Sequence, residues 1–156
     1  MRMTELTLAE FEALVGQEIA CTPWVLMTQE RIDLFAEATR DRQFIHVDPE
    51  LAAQGPFGRT IAHGFLTLSL IAGEFLTLGG LPRLEGGGVL LNYGLNKVRF
   101  LTPVPVGAHV RNRVVLNEFK RHDGYVQFTF TNTVEIQDAP RPALVAEVIF
   151  RWYSKA

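Results

Sequence analysis

The stretch GFLTLSLIAGEFL, residues 64–76, is apolar on almost every side. A helix without a polar face must be surrounded by protein, so we expect one long buried helix here. The second half of the chain has a different period, because Val126, Phe128 and Phe130 alternate with polar residues. Such alternation is typical of a half-buried strand. The two patterns together predict a central helix covered by a sheet.

About four long antiparallel strands are expected after the helix. Asp123 and Gly124 form a two-residue hairpin signal, which would join residues 110–119 to the alternating strand at 126–136. Residues 92–100 and 143–153 also read as strands. Because a sheet with one apolar face needs a partner, and the buried helix supplies it, the predicted fold class is α+β.

The first half of the chain predicts shorter helices separated by loops. The capping-box pattern at Thr7 predicts a helix at residues 8–15, and residues 17–27 look extended. Thr28 can cap a second helix that ends near Arg40. Asp48 followed by Pro49 predicts another helix start, because Asp is a preferred N-cap and Pro suits the first turn.

Length and composition indicate one globular domain spanning residues 1–156. The chain is 47% hydrophobic and 21% charged, with a formal net charge of −2. A nucleic-acid partner is not expected, because such proteins need a basic face. A membrane partner is not expected either, because a spanning helix needs about 20 apolar residues.

The single cysteine, Cys21, cannot form an intramolecular disulfide, so the chain need not mature in an oxidising compartment. The opening residues, 1–5, are not followed by the apolar region of a signal peptide. We therefore expect a cytoplasmic protein. Cys21 itself lies in a strand-like run and is expected to be a small packed residue, not a nucleophile.

The candidate site lies in the loop DRQFIHVD, residues 41–48, and in IAHG, residues 61–64. Asp41 and His46 could share one water, one removing its proton and the other orienting it. The usual pKa values of aspartate and histidine side chains, about 3.9 and 6.5, suit a carboxylate and a neutral imidazole at pH 7, but leave open which is the base. The N–H of Gly64 would lie at the start of the buried helix, where unpaired donors favour negative charge.

Other interpretations of these polar residues stay open. Asp41 and His46 could be ordinary loop residues, Asp48 is most simply a helix cap, and His63 could make a structural hydrogen bond. A metal site drawn from these four has ligands of the right type. It lacks two ligands spaced as HxxxH or HxH on one element, so we predict no metal.

These runs resemble a known family. DRQFIHVDP (41–49), FG (57–58) and IAHGFL (61–66) resemble the hydratase motif of the MaoC-like, R-specific enoyl-CoA hydratases, and NYGLNKVRF (92–100) resembles a later run of that family. The likeness covers nearly the whole chain and is closest to the branch of nodulation protein N-like proteins and 3-hydroxyacyl-thioester dehydratases. It implies a hot-dog fold, in which an antiparallel sheet wraps around one helix.

The resemblance also implies a homodimer with active sites near the subunit interface. The implied reaction is reversible addition of water to a trans-2-enoyl thioester of CoA or acyl carrier protein, giving the (3R)-3-hydroxyacyl thioester without a cofactor. Asp41 and His46 match the catalytic pair, and Gly64 matches the glycine whose N–H meets the thioester carbonyl. The chain departs from the family at Gln43-Phe44, often Asn-Pro, and at Ala72, where some members place a serine.

Seven residues are candidates for substrate binding. Lys97 and Arg99 alternate on a strand and could meet CoA or carrier phosphates, although a solvated strand face explains them as well. Phe57 and Phe65 could line an acyl pocket or belong to the core. The full set is Gln43, Phe57, His63, Phe65, Asn92, Lys97 and Arg99.

Two competing functions follow from the same features. An acyl-CoA thioesterase would direct the water at the carbonyl carbon instead of C3. A non-catalytic acyl-thioester-binding subunit would not depend on Asp41 or His46.

Overall fold

The computed structural model describes residues 5–78 and 82–155 of the chain. Residues 1–4, on which the signal-peptide expectation partly rests, lie outside the described residues. The elements are β1 (Glu5–Leu6), α1 (Leu8–Glu12), β2 (Glu18–Cys21), β3 (Val25–Leu26), α2 (Gln29–Thr39), α3 (Phe44–Val47), α4 (Pro49–Ala53), α5 (Gly64–Ala72), α6 (Glu74–Leu78), β4 (Arg83–Leu84), β5 (Gly88–Phe100), β6 (His109–His122), β7 (Tyr125–Ile136) and β8 (Leu144–Ser154).

The main sheet is antiparallel and has the strand order β2-β6-β7-β8-β5, with β3 also paired to β6. The predicted hairpin is confirmed, because His122 pairs with Tyr125 across a turn in which Gly124 has φ of 83°. Every second residue of β7 is buried, from Val126 to Ile136. The four long strands therefore lie where the sequence pattern predicted them.

The helix α5 packs against one face of this sheet. Its buried residues Leu66, Leu70 and Ile71 belong to the same core cluster as Phe128 and Phe130 of β7. An antiparallel sheet wrapped on one central helix is the hot-dog arrangement. The predicted α+β hot-dog class is confirmed.

The prediction of one continuous helix through residue 76 is wrong. Gly73, with φ of −109° and ψ of −101°, separates α5 from α6. Because glycine loses little by leaving the helical conformation, apolar periodicity alone does not reveal such a break. The following residue, Glu74, forms an ion pair with Arg31 of α2. The helix is also not covered all round, since Phe65 is 68% exposed.

Two smaller predictions need correction. The first helix is shorter than predicted, although its capping box between Thr7 and Glu10 is present. Cys21 is exposed, not packed. Successive strand residues point to opposite faces, so Cys21 points outward because its neighbour Ala20 is buried.

None of the helices in the described ranges is both long and apolar enough to span a membrane.

The cap at Asp48 fixes the end of the loop that carries the candidate site. Its carboxylate accepts a hydrogen bond from the Leu51 N–H at 2.9 Å, which confirms the predicted N-cap of α4. Replacing Asp48 by Ala is therefore expected to lower the free energy of unfolding by about 1 kcal/mol. Chemical denaturation measures this, with Asp48→Asn as the cap-preserving control. Equal stability of Asp48→Ala and wild type would contradict the assignment.

Candidate active site

Three separate segments bring Asp41, His46 and His63 together. Asp41 follows α2 after Arg40, which ends the helix in the left-handed region at φ of 64°. His46 lies in α3, and His63 immediately precedes α5. One oxygen or nitrogen atom of each side chain lies within 4.8 Å of the other two. The residues that the sequence suggested for proton chemistry therefore share one site.

The imidazole of His46 is buried and its tautomer is fixed. Nδ1 lies 2.7 Å from the carbonyl oxygen of Ile61. Because a carbonyl oxygen can only accept, Nδ1 carries the proton and Nε2 of the neutral ring keeps its lone pair. Burial lowers the pKa of His46 below its usual value; the hydrogen bond to the Ile61 carbonyl and the charge of Asp41 oppose this shift, and His63 adds to it. The ring is therefore held neutral, with Nε2 as an acceptor.

Asp41 is more exposed than the two histidines and is held as an anion. Gln43 donates a hydrogen bond from Nε2 to Oδ1 of Asp41 at 3.1 Å. This hydrogen bond is the main reason that the pKa of Asp41 lies below its usual value. No imidazole donates directly to this carboxylate within the described ranges, and groups at this spacing can be bridged by a water.

His63 is buried and contacts both members of the pair. Its Nε2 lies 2.9 Å from the main-chain oxygen of Asp41, so Nε2–H donates to that carbonyl. Its ring stacks on His46 with the centroids 3.8 Å apart and the planes 23° from parallel. The structural hydrogen bond considered from the sequence is therefore present.

The stacking of His46 on His63 does not suit a shared metal ion. A zinc-type ion lies about 2.0–2.1 Å from each nitrogen ligand, along a lone pair in the ring plane. An ion that close to two nearly parallel rings 3.8 Å apart would lie well outside both planes. Asp48, the fourth candidate ligand, caps α4. The spacing of ligands on one element is a weak criterion for a metal site, because the fold can bring ligands together from different elements. The absence of a metal and of a cofactor therefore stays a prediction.

A cavity of about 200 Å³ joins His46 to the start of α5. Pockets that enclose drug-sized ligands measure about 300–1,000 Å³, so this one suits the reacting end of a longer molecule. Its walls are mostly apolar and come from α3, the start of α5 with the segment before it, the end of β5 with the segment after it, and the start of β8 with the residue before it. They are formed by His46, Ile61, Ala62, Gly64, Thr67, Phe100, Leu101, Thr102, Pro103, Val104, Ala143 and Leu144.

Gly64 lines this cavity, and its N–H stays the predicted main-chain donor. It is the first residue of α5, so its N–H has no partner within the helix. A Cβ at this position would lie 3.0–3.3 Å from ring carbons of Phe100. The absence of a side chain therefore leaves the N–H of Gly64 approachable beside the Phe100 ring.

Larger cavities lie elsewhere in the described part of the chain. One of about 470 Å³, between α6 and the far end of the sheet, contains none of the predicted site residues. Another, of about 380 Å³, is lined by Asn92 together with Ser69 and Ala72. Volume alone would favour the cavity of about 470 Å³ as the substrate site. It is not lined by Asp41 or His46, the groups that the proposed proton chemistry requires.

The remaining substrate-binding candidates lie outside the cavity at His46. Phe57 and Phe65 are exposed, so the core interpretation is wrong for both. The Phe65 ring lies 5.8 Å from that of Phe100 at the edge of the cavity. Lys97 pairs with Glu147, and the Arg99 guanidinium donates to the carbonyl of Val98. Substrate contact stays a prediction for each of these residues, as it does for Gln43, His63 and Asn92.

Sequence reasoning missed three residues of the site. Gln29 of α2 donates a hydrogen bond from Nε2 to the carbonyl of His46 at 2.7 Å and accepts one from the Thr60 hydroxyl at 2.5 Å. These two bonds hold the segment that carries His46 against α2. Thr67 lines the cavity one turn after Gly64, where a buried hydroxyl in an apolar helix was an available signal. Phe100 lies beside Gly64 although the two residues are far apart in the sequence, so no local pattern could have predicted their proximity.

Comparisons with known proteins identify the family of the chain. A model of the MaoC-like domain matches residues 10–137. Nodulation protein N of Rhizobium leguminosarum bv. viciae is 48% identical over 149 residues, covering 94% of this chain and 91% of that protein. The 3-hydroxyacyl-thioester dehydratase Z of Mycobacterium tuberculosis H37Rv is 46% identical over 154 residues, covering 94% and 95%. The unliganded R-hydratase of Pseudomonas aeruginosa has a TM-score of 0.72 at 26% identity, covering 97% and 88%. The chain belongs to the MaoC-like domain family.

Proposed function

We propose that this protein catalyses the reversible hydration of trans-2-enoyl thioesters to (3R)-3-hydroxyacyl thioesters. The chain is a hydro-lyase of the hydratase and dehydratase type. One observation carries the proposal: side-chain atoms of the Asp41 carboxylate and of the buried His46 imidazole lie within 4.8 Å of each other, and His46 and Gly64 line the same cavity. The names of the dehydratase and R-hydratase relatives support the same reaction class.

The protonation states of Asp41 and His46 specify how a water would be held. Both the Asp41 carboxylate and Nε2 of His46 can only accept hydrogen bonds. A water bridging them donates both of its hydrogens, so an oxygen lone pair is free to attack C3 of the enoyl group. As the C–O bond forms, one acceptor takes a proton from the water. General acid–base assistance of this kind contributes about 10²–10⁴ in rate.

The remaining charge and proton are accounted for at C1 and C2. When the water oxygen bonds to C3, electron density moves through C2 to the thioester oxygen, which becomes enolate-like. The N–H of Gly64, at the positive end of α5, stabilises that oxygen. As the enolate collapses, the acceptor that took the proton from the water returns it to C2, which completes the addition of one water. The apolar walls of the cavity suit the enoyl group, which carries no charge.

We infer that a second copy of the chain covers the exposed edge of the sheet. β5 is an edge strand, paired on one side to β8. Four of its large apolar side chains, Val89, Leu91, Tyr93 and Leu95, are 48–55% exposed. An uncovered apolar edge strand of 13 residues favours association with another chain. A homodimer across β5 would bury this edge and the nearby exposed face of α5.

Light scattering after size exclusion tests the dimer. Leu91→Lys on β5 is expected to give the monomer mass, because a charge would be buried at the interface. Val15→Lys, at another exposed apolar residue, is the control and should stay dimeric. A monomeric wild type would contradict the inferred dimer.

Crotonyl-CoA separates hydratase from thioesterase activity. Loss of the enoyl absorbance without free thiol is expected. Release of free thiol at the same rate as the absorbance change would instead support a thioesterase. A panel of enoyl-CoA chain lengths in the same assay defines the acyl preference.

The pH dependence of this activity follows from the pKa directions. His46 must be neutral to accept, and burial lowers its pKa, so its protonation occurs below the usual value of about 6.5. Asp41 stays ionised to lower pH still, because its pKa is also lowered. We expect kcat/KM to stay level as the pH falls from 8 and to decline only below about 6.5. A decline that begins above pH 7, with enzyme that recovers fully on return to pH 8, would contradict this assignment.

A further inference from the structure

We propose that His63 is a positioning residue, whose Nε2–H fixes the main chain of Asp41 while its ring face fixes the imidazole of His46. This proposal rests on the proposed function, since it concerns the same pair. His63 is 3% exposed and immediately precedes α5. One buried side chain thereby sets the spacing between the two groups that would hold the water.

The first contact acts on the Asp41 segment. Asp41 follows the end of α2 and is not itself part of a helix or strand. The hydrogen bond from His63 Nε2 to its main-chain oxygen, at 2.9 Å, joins this segment to the start of α5 across 22 residues of sequence. The Gln43 hydrogen bond holds the Asp41 carboxylate from within the same loop, whereas the His63 hydrogen bond anchors the Asp41 main chain to a different part of the fold.

The second contact acts on His46. The His63 ring packs against two other rings, with centroids 3.8 Å from His46 and 5.0 Å from Phe35 of α2. The Ile61 carbonyl holds one edge of the His46 ring and His63 covers one face. These contacts leave the imidazole little freedom to turn, and they contribute to the burial that keeps it neutral.

The free nitrogen of His63 is consistent with this role. With Nε2 protonated toward Asp41, Nδ1 carries a lone pair, and this buried atom has no hydrogen-bond partner within the described ranges. An unsatisfied buried acceptor costs stability. If this position served only stability, an apolar ring would be more favourable, because it has no acceptor to leave unsatisfied. The hydrogen bond to Asp41 is therefore the contact that requires a histidine here.

Two variants separate the two contacts. His63→Phe keeps a flat ring against Phe35 and His46 but removes the donor. His63→Gln keeps an N–H donor of similar reach but removes the ring. His63→Ala removes both. Misplacement by about 1 Å can cost about 10²-fold in turnover, so we expect kcat to fall about 10²-fold in His63→Ala, and by less in His63→Phe and His63→Gln, with KM changed less than about threefold.

The histidine pKa values give a readout that needs no substrate. In NMR titrations of labelled histidine, the pKa of His46 should rise toward its usual value in His63→Ala and His63→Gln, because water reaches the uncovered face. In His63→Phe it should rise by less, because the ring still covers that face. All three variants remove the smaller effect of the His63 charge on the pKa of His46, so the decisive comparison is between His63→Phe and the other two, and Asp41 is the other titratable group that acts on His46. The control, His109→Phe, alters an exposed strand histidine and should change neither readout.

Three results would overturn the proposal. An increase in KM with unchanged kcat would make His63 a substrate-binding residue. Loss of activity only in proportion to the unfolded fraction, measured by circular dichroism, would make its role structural. An unchanged His46 pKa in all three folded variants would show that stacking on His63 does not influence the protonation of His46. If the wild type itself lacks hydratase turnover, the proposed function fails while the titration still tests the positioning.

Discussion

Replacement of His46 by Asn is expected to lower kcat for enoyl-thioester hydration by about 10²–10⁴, and Asp41→Asn by a similar factor. In His46→Asn the new side-chain amide could still donate to the Ile61 carbonyl, as Nδ1–H of His46 does, while the acceptor at Nε2 is lost. Asp41→Asn keeps the shape of the side chain but removes its charge. Steady-state rates with crotonyl-CoA measure both losses.

The double variant tests whether the two residues act on one water. Groups that act as a unit are non-additive, so Asp41→Asn with His46→Asn should cost about as much as the larger single loss. The controls are His109→Asn and Asp123→Asn, which change an exposed histidine and an exposed turn aspartate. Turnover within a few-fold of wild type in either single variant would contradict the pair, and losses that multiply would contradict the shared water.

Gly64→Ala is the second variant with a large expected effect. The new methyl would lie beside the N–H proposed to stabilise the enolate oxygen, where it would obstruct the thioester. Loss of such a donor interaction costs about 10²–10³ in kcat, and we expect a loss of that size. Single-turnover kinetics with crotonyl-CoA measure the chemical step directly.

A second change separates obstruction of the substrate from crowding in the protein. The Cβ added by Gly64→Ala would meet the Phe100 ring at 3.0–3.3 Å, so part of the effect could come from a displaced ring. Gly64→Ala combined with Phe100→Ala relieves that contact, and its kcat should stay about 10²–10³ below that of Phe100→Ala alone. The control, Gly73→Ala, places a Cβ at an ordinary 3.5 Å from the Ser69 carbonyl oxygen at the other end of α5. Recovery of kcat in the double variant would remove Gly64 from the proposed oxyanion site.

Local patterns predicted much of this fold because they report local physics. The alternation of β7 and the cap at Asp48 depend on residues two or three positions apart. The break at Gly73 could not be predicted in this way, since the apolar pattern continues through it and the Arg31–Glu74 ion pair joins distant segments. The exposure of Phe65 likewise depends on whether a second chain covers α5.

The candidate site was predictable in its members but not in its contacts. Asp41, His46 and Gly64 were chosen from residue chemistry and from the family motif. The stack of His63 on His46 and the bond from Gln29 to the His46 carbonyl are tertiary contacts, across 17 residues of sequence in each case. No periodicity specifies them. The sequence therefore predicted which groups could react, whereas the fold determines how they are held.

The oxygen of the attacking water should be found at C3 of the product. Crotonyl-CoA is turned over in water enriched in oxygen-18, and the intact product is analysed by mass spectrometry. We expect one labelled oxygen in the C3 hydroxyl group of an intact thioester, with label incorporation slowed in proportion to kcat in Asp41→Asn and His46→Asn. Label found in a free carboxylate, or incorporation at C3 that is equally fast without Asp41 and His46, would contradict it.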